Sequence, residues 1–171
     1  MSFLLDVLDN AHMLRCLLLF IILISSSQVF AALLQGRVIG VSDGDTVTVL
    51  DGSNTQFKIR LAGIDAPEKK QSFGQVSKQS LSELVYNKSV QVDWSKKDRY
   101  RRLVGKVLVN GLDANLEQVK RGLAWHYSKY KKEQVFEDRL MYLHAQRDAT
   151  DTKIGLWVEP NPVAPWIWRR D

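Results

Sequence analysis

Four acidic residues that lie close together in the sequence are the first candidates for chemistry. They are Asp43, Asp45, Asp65 and Glu68, in two loops that bracket two short β-like segments. If a hairpin turn and the loop after the third strand meet at one rim of a small barrel, Asp45 and Asp65 come together as hard oxygen ligands. Two neighbouring carboxylates repel each other unless a divalent cation supplies positive charge. The pattern therefore predicts a site for Ca2+ or a similar ion.

Simpler interpretations of these acids remain open at this point. Asp-Gly pairs are common in turns, and the loop containing Asp65 and Glu68 could simply cap the following helix. An EF-hand is excluded, because Thr48 stands where that loop needs glycine. Zinc is disfavoured, because only His126 and His144 follow the N-terminal segment, and the single Cys16 cannot form a disulfide within the chain.

A dense group of cations follows in the turn Asp98-Arg99-Tyr100-Arg101-Arg102. This turn could be no more than a solvated charged loop. Arg60, however, alternates with apolar residues in its own strand, so its side chain leaves the face opposite the core. Arg60 and Arg102 could then form a clamp of two guanidinium groups, whose planar donors match the oxygens of a phosphate.

The order and spacing of these residues resemble the thermonuclease (staphylococcal-nuclease-like) family. The motifs that carry the resemblance are Asp43-Gly44-Asp45-Thr46-Val47, the segment from Arg60 through Ile64-Asp65-Ala66-Pro67-Glu68, and Asp98-Arg99-Tyr100 with Arg102. The ending, Gly155-Leu156-Trp157 followed by Pro165-Trp166-Ile167-Trp168-Arg169-Arg170, is similar to that of the bacterial secreted branch. The likeness covers about residues 36–170.

The resemblance implies a role for nine residues. Asp45, Asp65 and the backbone carbonyl of Ala66 would hold Ca2+. Arg60 and Arg102 would bind the scissile phosphate, and Glu68 would activate or position the attacking water. Three further positions match substrate contacts, with Arg99 and Tyr100 at the nucleotide's other phosphate and Tyr130 at the base pocket.

The same resemblance implies an activity. Members of the family are calcium-dependent nucleases that cut DNA and RNA on the 5′ side of the phosphodiester and leave 3′-phosphate ends. We therefore expect single-stranded DNA and RNA as substrates, and a monomer that needs no obligate protein partner. Two positions depart from the family pattern: Ala66 stands where the best-known member has threonine, and Arg101 where glycine usually precedes the second arginine. Arg101 puts the position of Arg102 in question.

Two other classes of function compete with the nuclease. The first is a nucleic-acid-binding barrel without turnover, in which Trp125, Tyr127 and Tyr130 stack on bases while arginines hold the backbone. Acidic groups argue against it, because a pure binder gains nothing from carboxylates near phosphate. The second is a calcium-stabilised envelope protein whose tryptophan-rich tail docks a partner, although aromatic side chains more commonly pack a core.

Alternating apolar residues and turn signals define the elements that must position these groups. Residues 36–61 predict three antiparallel strands, with Asp43-Gly44 and Asp51-Gly52 in the hairpin turns. Residues 89–95 and 102–110 predict two more strands. Helices are predicted at residues 72–87, 113–121 and 132–148, and the tail from Gly155 as an ordered strap. The inward-facing residues are predicted to be Val76, Leu81, Leu84 and Val85 in the first helix, Leu116 and Val119 in the second, and Phe136, Leu140 and Leu143 in the third.

The order of these elements indicates an α+β fold, a five-stranded OB-type β-barrel with three helices, because hairpins connect most strands. The chain has 171 residues, 45% of them hydrophobic and 25% charged, which suits one folded core and excludes disordered or multi-span membrane chains. Its net charge of +5 favours a polyanionic partner.

The first residues differ in composition from the rest. Arg15 precedes 19 residues without charge, Cys16 to Leu34, and this stretch contains Val29-Phe30-Ala31. This is typical of a secretory signal peptide cleaved after Ala31, although Met13 could be the true start and an uncleaved membrane anchor is the alternative. We therefore expect residues 1–31 to be a signal peptide, residues 32–171 to form a single thermonuclease-like domain, and the protein to be secreted or periplasmic.

Overall fold

The computed structural model describes residues 32–170, so the predictions for the signal peptide, for Met13 and for Cys16 lie outside the described residues. The strands are β1 (Ala32–Asp43), β2 (Thr46–Asp51), β3 (Gln56–Leu61), β4 (Ile64–Asp65), β5 (Ser89–Lys97), β6 (Leu103–Val109), β7 (Leu112–Asp113) and β8 (Trp125–His126). The helices are α1 (Gly74–Val85), α2 (Ala114–Lys120), α3 (Phe136–Asp151) and α4 (Pro165–Trp168), with 3-10 turns at Ser128–Glu133 and Gly155–Val158. Among residues 32–170, no helix has the length and apolar character to cross a bilayer.

The five long strands form a closed barrel in the order β3, β2, β1, β5, β6. Neighbours along this order are antiparallel, and β6 closes the barrel by pairing in parallel with β3, opposite Ile59, Arg60 and Leu61. Closure leaves few unpaired edges among these strands. The predicted α+β fold, an OB-type barrel with helices, is confirmed.

Apolar side chains that alternate along the strands point into one core. Val47, Val49, Ile59 and Leu61 are almost completely buried there. Leu81, Leu84 and Val85 of α1 and Leu116 and Val119 of α2 cover it, as the apolar spacing of both helices predicted.

The inward-facing residues of α3, the third predicted helix, were predicted wrongly. Phe136, Leu140 and Leu143 are all exposed, and the buried residues of α3 are Tyr142, Ala145 and Ala149. Small alanines let the helix approach its neighbours closely, and the Tyr142 hydroxyl donates a 2.8 Å hydrogen bond to Asp113. In α1, Val76 was also predicted to face inward and is exposed.

Two buried amides of α2 fix the loops that carry the acidic residues. The side-chain nitrogen of Gln118 donates to the carbonyl of Gly44, 2.9 Å away, and so holds the turn between β1 and β2. The side-chain nitrogen of Asn115 donates to the carbonyl of Ala62, 3.0 Å away, and so holds the end of β3. Because both amides are completely buried, these bonds are shielded from competition by water. The helix therefore sets the relative position of the two loops.

Candidate active site

One cleft of about 970 Å³ collects the residues that the sequence singled out. It lies where the β1–β2 turn, the loop after β3 and the β5–β6 loop meet the C-terminal segment. All nine predicted site residues line it, namely Asp45, Arg60, Asp65, Ala66, Glu68, Arg99, Tyr100, Arg102 and Tyr130.

Asp45 and Asp65 meet at the floor of this cleft, as expected for a turn and a loop at one barrel rim. The Oδ2 atom of Asp45 accepts a 2.7 Å hydrogen bond from the backbone nitrogen of Ala66, across 21 positions of sequence. Its Oδ1 atom accepts a 3.1 Å hydrogen bond from the hydroxyl of Thr46. Asp45 is 6% exposed and Asp65 1% exposed, so both carboxylates are largely removed from water.

Arg60 stands between these two carboxylates. Its NH2 atom lies 3.1 Å from Asp45 Oδ2 and 2.8 Å from Asp65 Oδ1. Its NH1 atom donates to the backbone carbonyls of Leu61 and Ile64, at 2.8 and 2.9 Å. Because carboxylates accept from NH2 and carbonyls accept from NH1, the guanidinium group is held rigidly at the cleft floor.

Burial governs the acid strength of these groups. Desolvation, followed by repulsion from Asp45, raises the pKa of Asp43 to about 6. Desolvation also raises the pKa of Asp65, although Arg60 and Arg169 act in the opposite direction. Carboxylates that are buried and close together in this way favour any cation that can reach them.

Arg102 reaches the same cleft from the β5–β6 loop, where Asp98 holds it. The Arg102 Nε atom donates to Asp98 Oδ2 at 2.7 Å, and its NH1 atom lies 3.5 Å from the Thr46 hydroxyl. Burial acts to raise the pKa of Asp98, but the bonds of Asp98 to Arg102 and to backbone N–H groups lower this pKa overall. Arg101 has a φ of 64°, in the left-handed region, which is the conformation that glycine adopts most easily. Even so, the Arg102 side chain lines the cleft.

The three predicted substrate contacts lie at the mouth of the cleft and are solvent-exposed. The Arg99 guanidinium donates to the Tyr100 hydroxyl at 2.7 Å and lies over its ring, 4.8 Å from the centroid. Tyr100 is 64% exposed and Tyr130 42% exposed, so both rings are accessible to a ligand. Lys96 lies 5.1 Å from the centre of the Tyr130 ring, which adds positive charge at this side.

Glu68 lines the same cleft and is partly exposed, and it is bound by a residue to which the sequence analysis assigned no role. Arg169 NH1 donates to Glu68 Oε1 at 2.7 Å, and Arg169 NH2 donates to Asp65 Oδ2 at 2.7 Å. The sequence does contain a hint of this role, because Trp166 and Arg169 are three residues apart and so lie on one face of the short C-terminal helix. The sequence does not show, however, that this face lies at the cleft. Asp98 was likewise part of a quoted motif without a role.

The donor set suits a hard divalent cation such as Ca2+, which prefers carboxylate and carbonyl oxygens. Asp45, Asp65 and the carbonyl of Ala66 are the groups that could hold it. Asp45 and Asp65 pair with Arg60, and Asp65 and Glu68 pair with Arg169, so the carboxylates that could bind a cation are bound to guanidinium groups. Within residues 32–170, no three acidic, histidine or cysteine side chains converge closely enough to form a ligand set on their own.

Comparison with known proteins identifies the family of this chain. The family model described as staphylococcal nuclease homologue matches residues 58–159. An "uncharacterized endonuclease" of Haemophilus influenzae is 48% identical over 134 residues, covering 78% of this chain and 72% of the relative. A "micrococcal nuclease" of Shigella flexneri is 37% identical over 145 residues, covering 80% of each. A second "uncharacterized endonuclease", from Escherichia coli, is 41% identical over 150 residues, covering 87% of this chain and 94% of the relative.

The fold and the site define a barrel nuclease, a class of phosphodiester hydrolase. The chain belongs to the staphylococcal nuclease homologue family.

Proposed function

We propose that this protein is a secreted or periplasmic nuclease that requires Ca2+ and hydrolyses single-stranded DNA and RNA to products with 3′-phosphate ends. The observation that carries the proposal is the convergence of buried carboxylates with Arg60 and Arg102 on one cleft. Carboxylates beside phosphate-binding arginines are unfavourable for simple binding of a polyanion, but they are useful when a cation and a proton acceptor take part in hydrolysis.

Each group in the cleft has a distinct role in the proposed reaction. Arg60 and Arg102 donate hydrogen bonds to phosphate oxygens as charge develops on them, the kind of contact whose loss costs about 2.7 to 4 kcal/mol. Glu68 accepts a proton from water, whose oxygen attacks phosphorus. The bond from phosphorus to the 5′ oxygen breaks, that oxygen takes a proton from solvent water, and Glu68 afterwards releases its proton to solvent. Asp45, Asp65 and the Ala66 carbonyl would hold Ca2+, which when bound acts as a Lewis acid toward the phosphate.

The exposed aromatic residues provide the substrate contacts. Tyr100 and Tyr130 flank the cleft with accessible rings, and Arg99 lies beside Tyr100. Ring faces stack on bases of any sequence, while arginines contact the backbone, so this arrangement suits single strands without sequence preference. Of the aromatic residues considered for base stacking, Trp125 and Tyr127 already pack against Trp166, with ring centroids 5.6 and 5.1 Å away. Tyr130 also contacts the Tyr127 ring, with centroids 5.1 Å apart, but it is 42% exposed, and this exposure favours Tyr130 as the base contact.

The test is a digest of a labelled single-stranded DNA and a matched RNA with calcium or with EGTA, followed by analysis of the product ends. We expect cleavage that depends on calcium and leaves 3′-phosphates. Glu68→Gln should reduce turnover at least about 100-fold, the contribution typical of general acid–base catalysis, while largely keeping nucleic-acid affinity. Glu137→Gln, at an exposed position on α3, is the matched control.

Three outcomes would contradict parts of the proposal. Undiminished cleavage by Glu68→Gln would remove Glu68 from the mechanism. Cleavage that continues in EGTA would remove the calcium requirement. Tight binding of both strands without any cleavage would favour the alternative, a nucleic-acid-binding barrel without turnover.

A further inference from the structure

Arg169 occupies the position between Asp65 and Glu68 as a cation would. Its NH2 atom donates to Asp65 Oδ2 at 2.7 Å, and its NH1 atom donates to Glu68 Oε1 at 2.7 Å and to Asp65 Oδ1 at 3.2 Å. One guanidinium group therefore bridges a carboxylate proposed to hold the ion and the carboxylate proposed to act on water. These bonds, those to Asp65 first, raise the pKa of Arg169, so the group is fully charged at any ordinary pH.

The segment that carries Arg169 is anchored to the barrel by aromatic packing. Trp166, in α4, stacks on Tyr127 with an angle of 19° between the rings and contacts Trp125 edge-on. Just before α4, the Val163 carbonyl accepts a 2.5 Å hydrogen bond from the side chain of Gln71. These contacts keep Arg169 close to the cleft whether or not its own side chain remains bound to the carboxylates.

Arg60 and Arg169 share Asp65, but they are held differently. The Arg60 side chain is 15% exposed and is also fixed by two backbone carbonyls. The Arg169 side chain is 43% exposed and extends from the last turn of a helix of four residues. A half-exposed arginine regains contact with water when it leaves its partners, whereas withdrawal of Arg60 would leave two buried carboxylates and two backbone carbonyls without this donor. Of the two groups, Arg169 is the one that can withdraw.

We propose that Arg169 is a tethered competitor of the catalytic cation, holding Asp65 and Glu68 until the ion displaces it. This inference rests on the proposed calcium-dependent function and adds a role for the C-terminal segment. While Arg169 is bound, both oxygens of Asp65 and one oxygen of Glu68 are engaged by guanidinium groups. When it withdraws, the Asp65 Oδ2 atom can serve the ion and Glu68 can accept a proton. Arg169 therefore sets the calcium affinity of the site.

The test is the calcium affinity itself, measured by isothermal titration calorimetry on the protein without nucleic acid. If Arg169 blocks the site in about nine molecules of ten, Arg169→Ala should bind calcium about tenfold more tightly, because the whole population is then competent. Arg169→Lys should lie between the two, since a lysine carries the charge but cannot bridge two carboxylates with a planar fork.

Arg170→Ala is the matched control, because it removes one positive charge from the adjacent residue, which also lines the cleft. A general effect of charge would give Arg170→Ala and Arg169→Ala similar gains, whereas a specific competitor gives a gain only at Arg169. An unchanged or weakened calcium affinity in Arg169→Ala would overturn the inference, because a purely structural contact gives no gain when it is lost. Failure of both the wild type and Arg169→Ala to bind calcium would overturn it as well.

A digest of single-stranded DNA with the same samples separates this inference from the proposed function. If the wild type cleaves DNA in a calcium-dependent way and Arg169→Ala binds calcium with the same affinity as the wild type, the nuclease proposal stands. The proposed role of Arg169 is then rejected. Absence of cleavage by wild type and variant alike, with calcium bound by both, rejects the proposed function and leaves the affinity result to decide the inference.

Discussion

Replacement of Asp98 by asparagine tests whether the second arginine of the cleft must be held in place to work. Asp98 Oδ1 accepts hydrogen bonds from the backbone nitrogens of Tyr100 and Arg102, at 2.9 and 3.0 Å. Its Oδ2 atom accepts from Arg102 Nε at 2.7 Å. In Asp98→Asn the Oδ1 acceptor is retained, but an NH2 group faces Nε–H, a donor against a donor. The loop keeps its shape while Arg102 loses its partner.

The size of the effect follows from the type of bond and its exposure. A hydrogen bond to a charged group contributes about 1.5 to 3 kcal/mol. The Arg102 and Asp98 side chains are 24% and 19% exposed, so solvent screening brings the loss toward about 1.5 kcal/mol. If the whole of this free energy is lost from stabilisation of the transition state, kcat/KM falls about tenfold. Complete removal of the guanidinium group in Arg102→Ala should cost at least about 100-fold, as for an oxyanion donor.

The assay is the initial rate of hydrolysis of a fluorescent single-stranded oligonucleotide with saturating calcium and substrate well below KM. Asp93→Asn, on the exposed face of β5, makes the same chemical change away from the loop and should leave the rate unchanged. If Asp98 acts through Arg102, the double variant Asp98→Asn with Arg102→Ala should be no slower than Arg102→Ala alone. A fully additive loss in the double variant, or a rate for Asp98→Asn equal to that of the wild type, would refute the reasoning.

Two further predictions concern stability. Because the pKa of Asp98 lies below its ordinary value of 3.8, its carboxylate stabilises the fold at neutral pH and this contribution is lost as the pH falls through the folded pKa. Urea unfolding should therefore show Asp98→Asn less stable than the wild type at pH 7, with the gap closing below pH 3.8; a constant gap would show that the charge is not involved. Asn115→Ala should lower the free energy of unfolding by about 3 kcal/mol, because a completely buried amide that bonds Ala62, Gly105 and Val107 is lost. Asn161→Ala, at an exposed position, is its control, and an equal effect of both would contradict the argument.

The barrel could be predicted from the sequence because its signals are local. Alternation of apolar residues in β3 and the Asp-Gly pairs in the turns define hairpins, and hairpins determine which strands are neighbours. The strand assignment in turn brought Asp45 and Asp65 to one rim and placed Arg60 on the outward face, where the structure has it. The short strands β4, β7 and β8, of two residues each, carry no such periodic signal and were not predicted.

The buried face of α3 could not be predicted, because the helix offers apolar residues on more than one side. Phe136, Leu140 and Leu143 form a plausible stripe, but Tyr142 and Ala145 are buried instead. The choice between these faces depends on close approach at alanine and on the hydrogen bond of Tyr142, both of which require the neighbouring elements to be known. The sequence pattern identifies the helix but not its rotation about its own axis.

Arg169 escaped prediction for a different reason. Its partners Asp65 and Glu68 are 104 and 101 positions away in the sequence, and no local pattern relates charges at that distance. The packing of Trp166 and the hydrogen bond to the Val163 carbonyl bring the tail arginine to the cleft. Sequence reasoning therefore singled out most of the site residues in the loops that adjoin the strands, but it assigned no role to Asp98 or to Arg169 of the C-terminal segment.

The two arginines proposed to bind phosphate differ in what else depends on them, and this decides how their variants should be interpreted. Arg60 pairs with two buried carboxylates and bonds two carbonyls, so its removal leaves Asp45 and Asp65 with less compensating charge. An inactive Arg60 variant therefore reports on the integrity of the cleft floor as well as on phosphate binding. Arg102 rests on an exposed loop with Asp98 as its ion-pair partner. Removal of Arg102 costs stability mainly through this one partly exposed ion pair, so loss of activity in Arg102 variants is the more direct evidence for a guanidinium group acting on the phosphate.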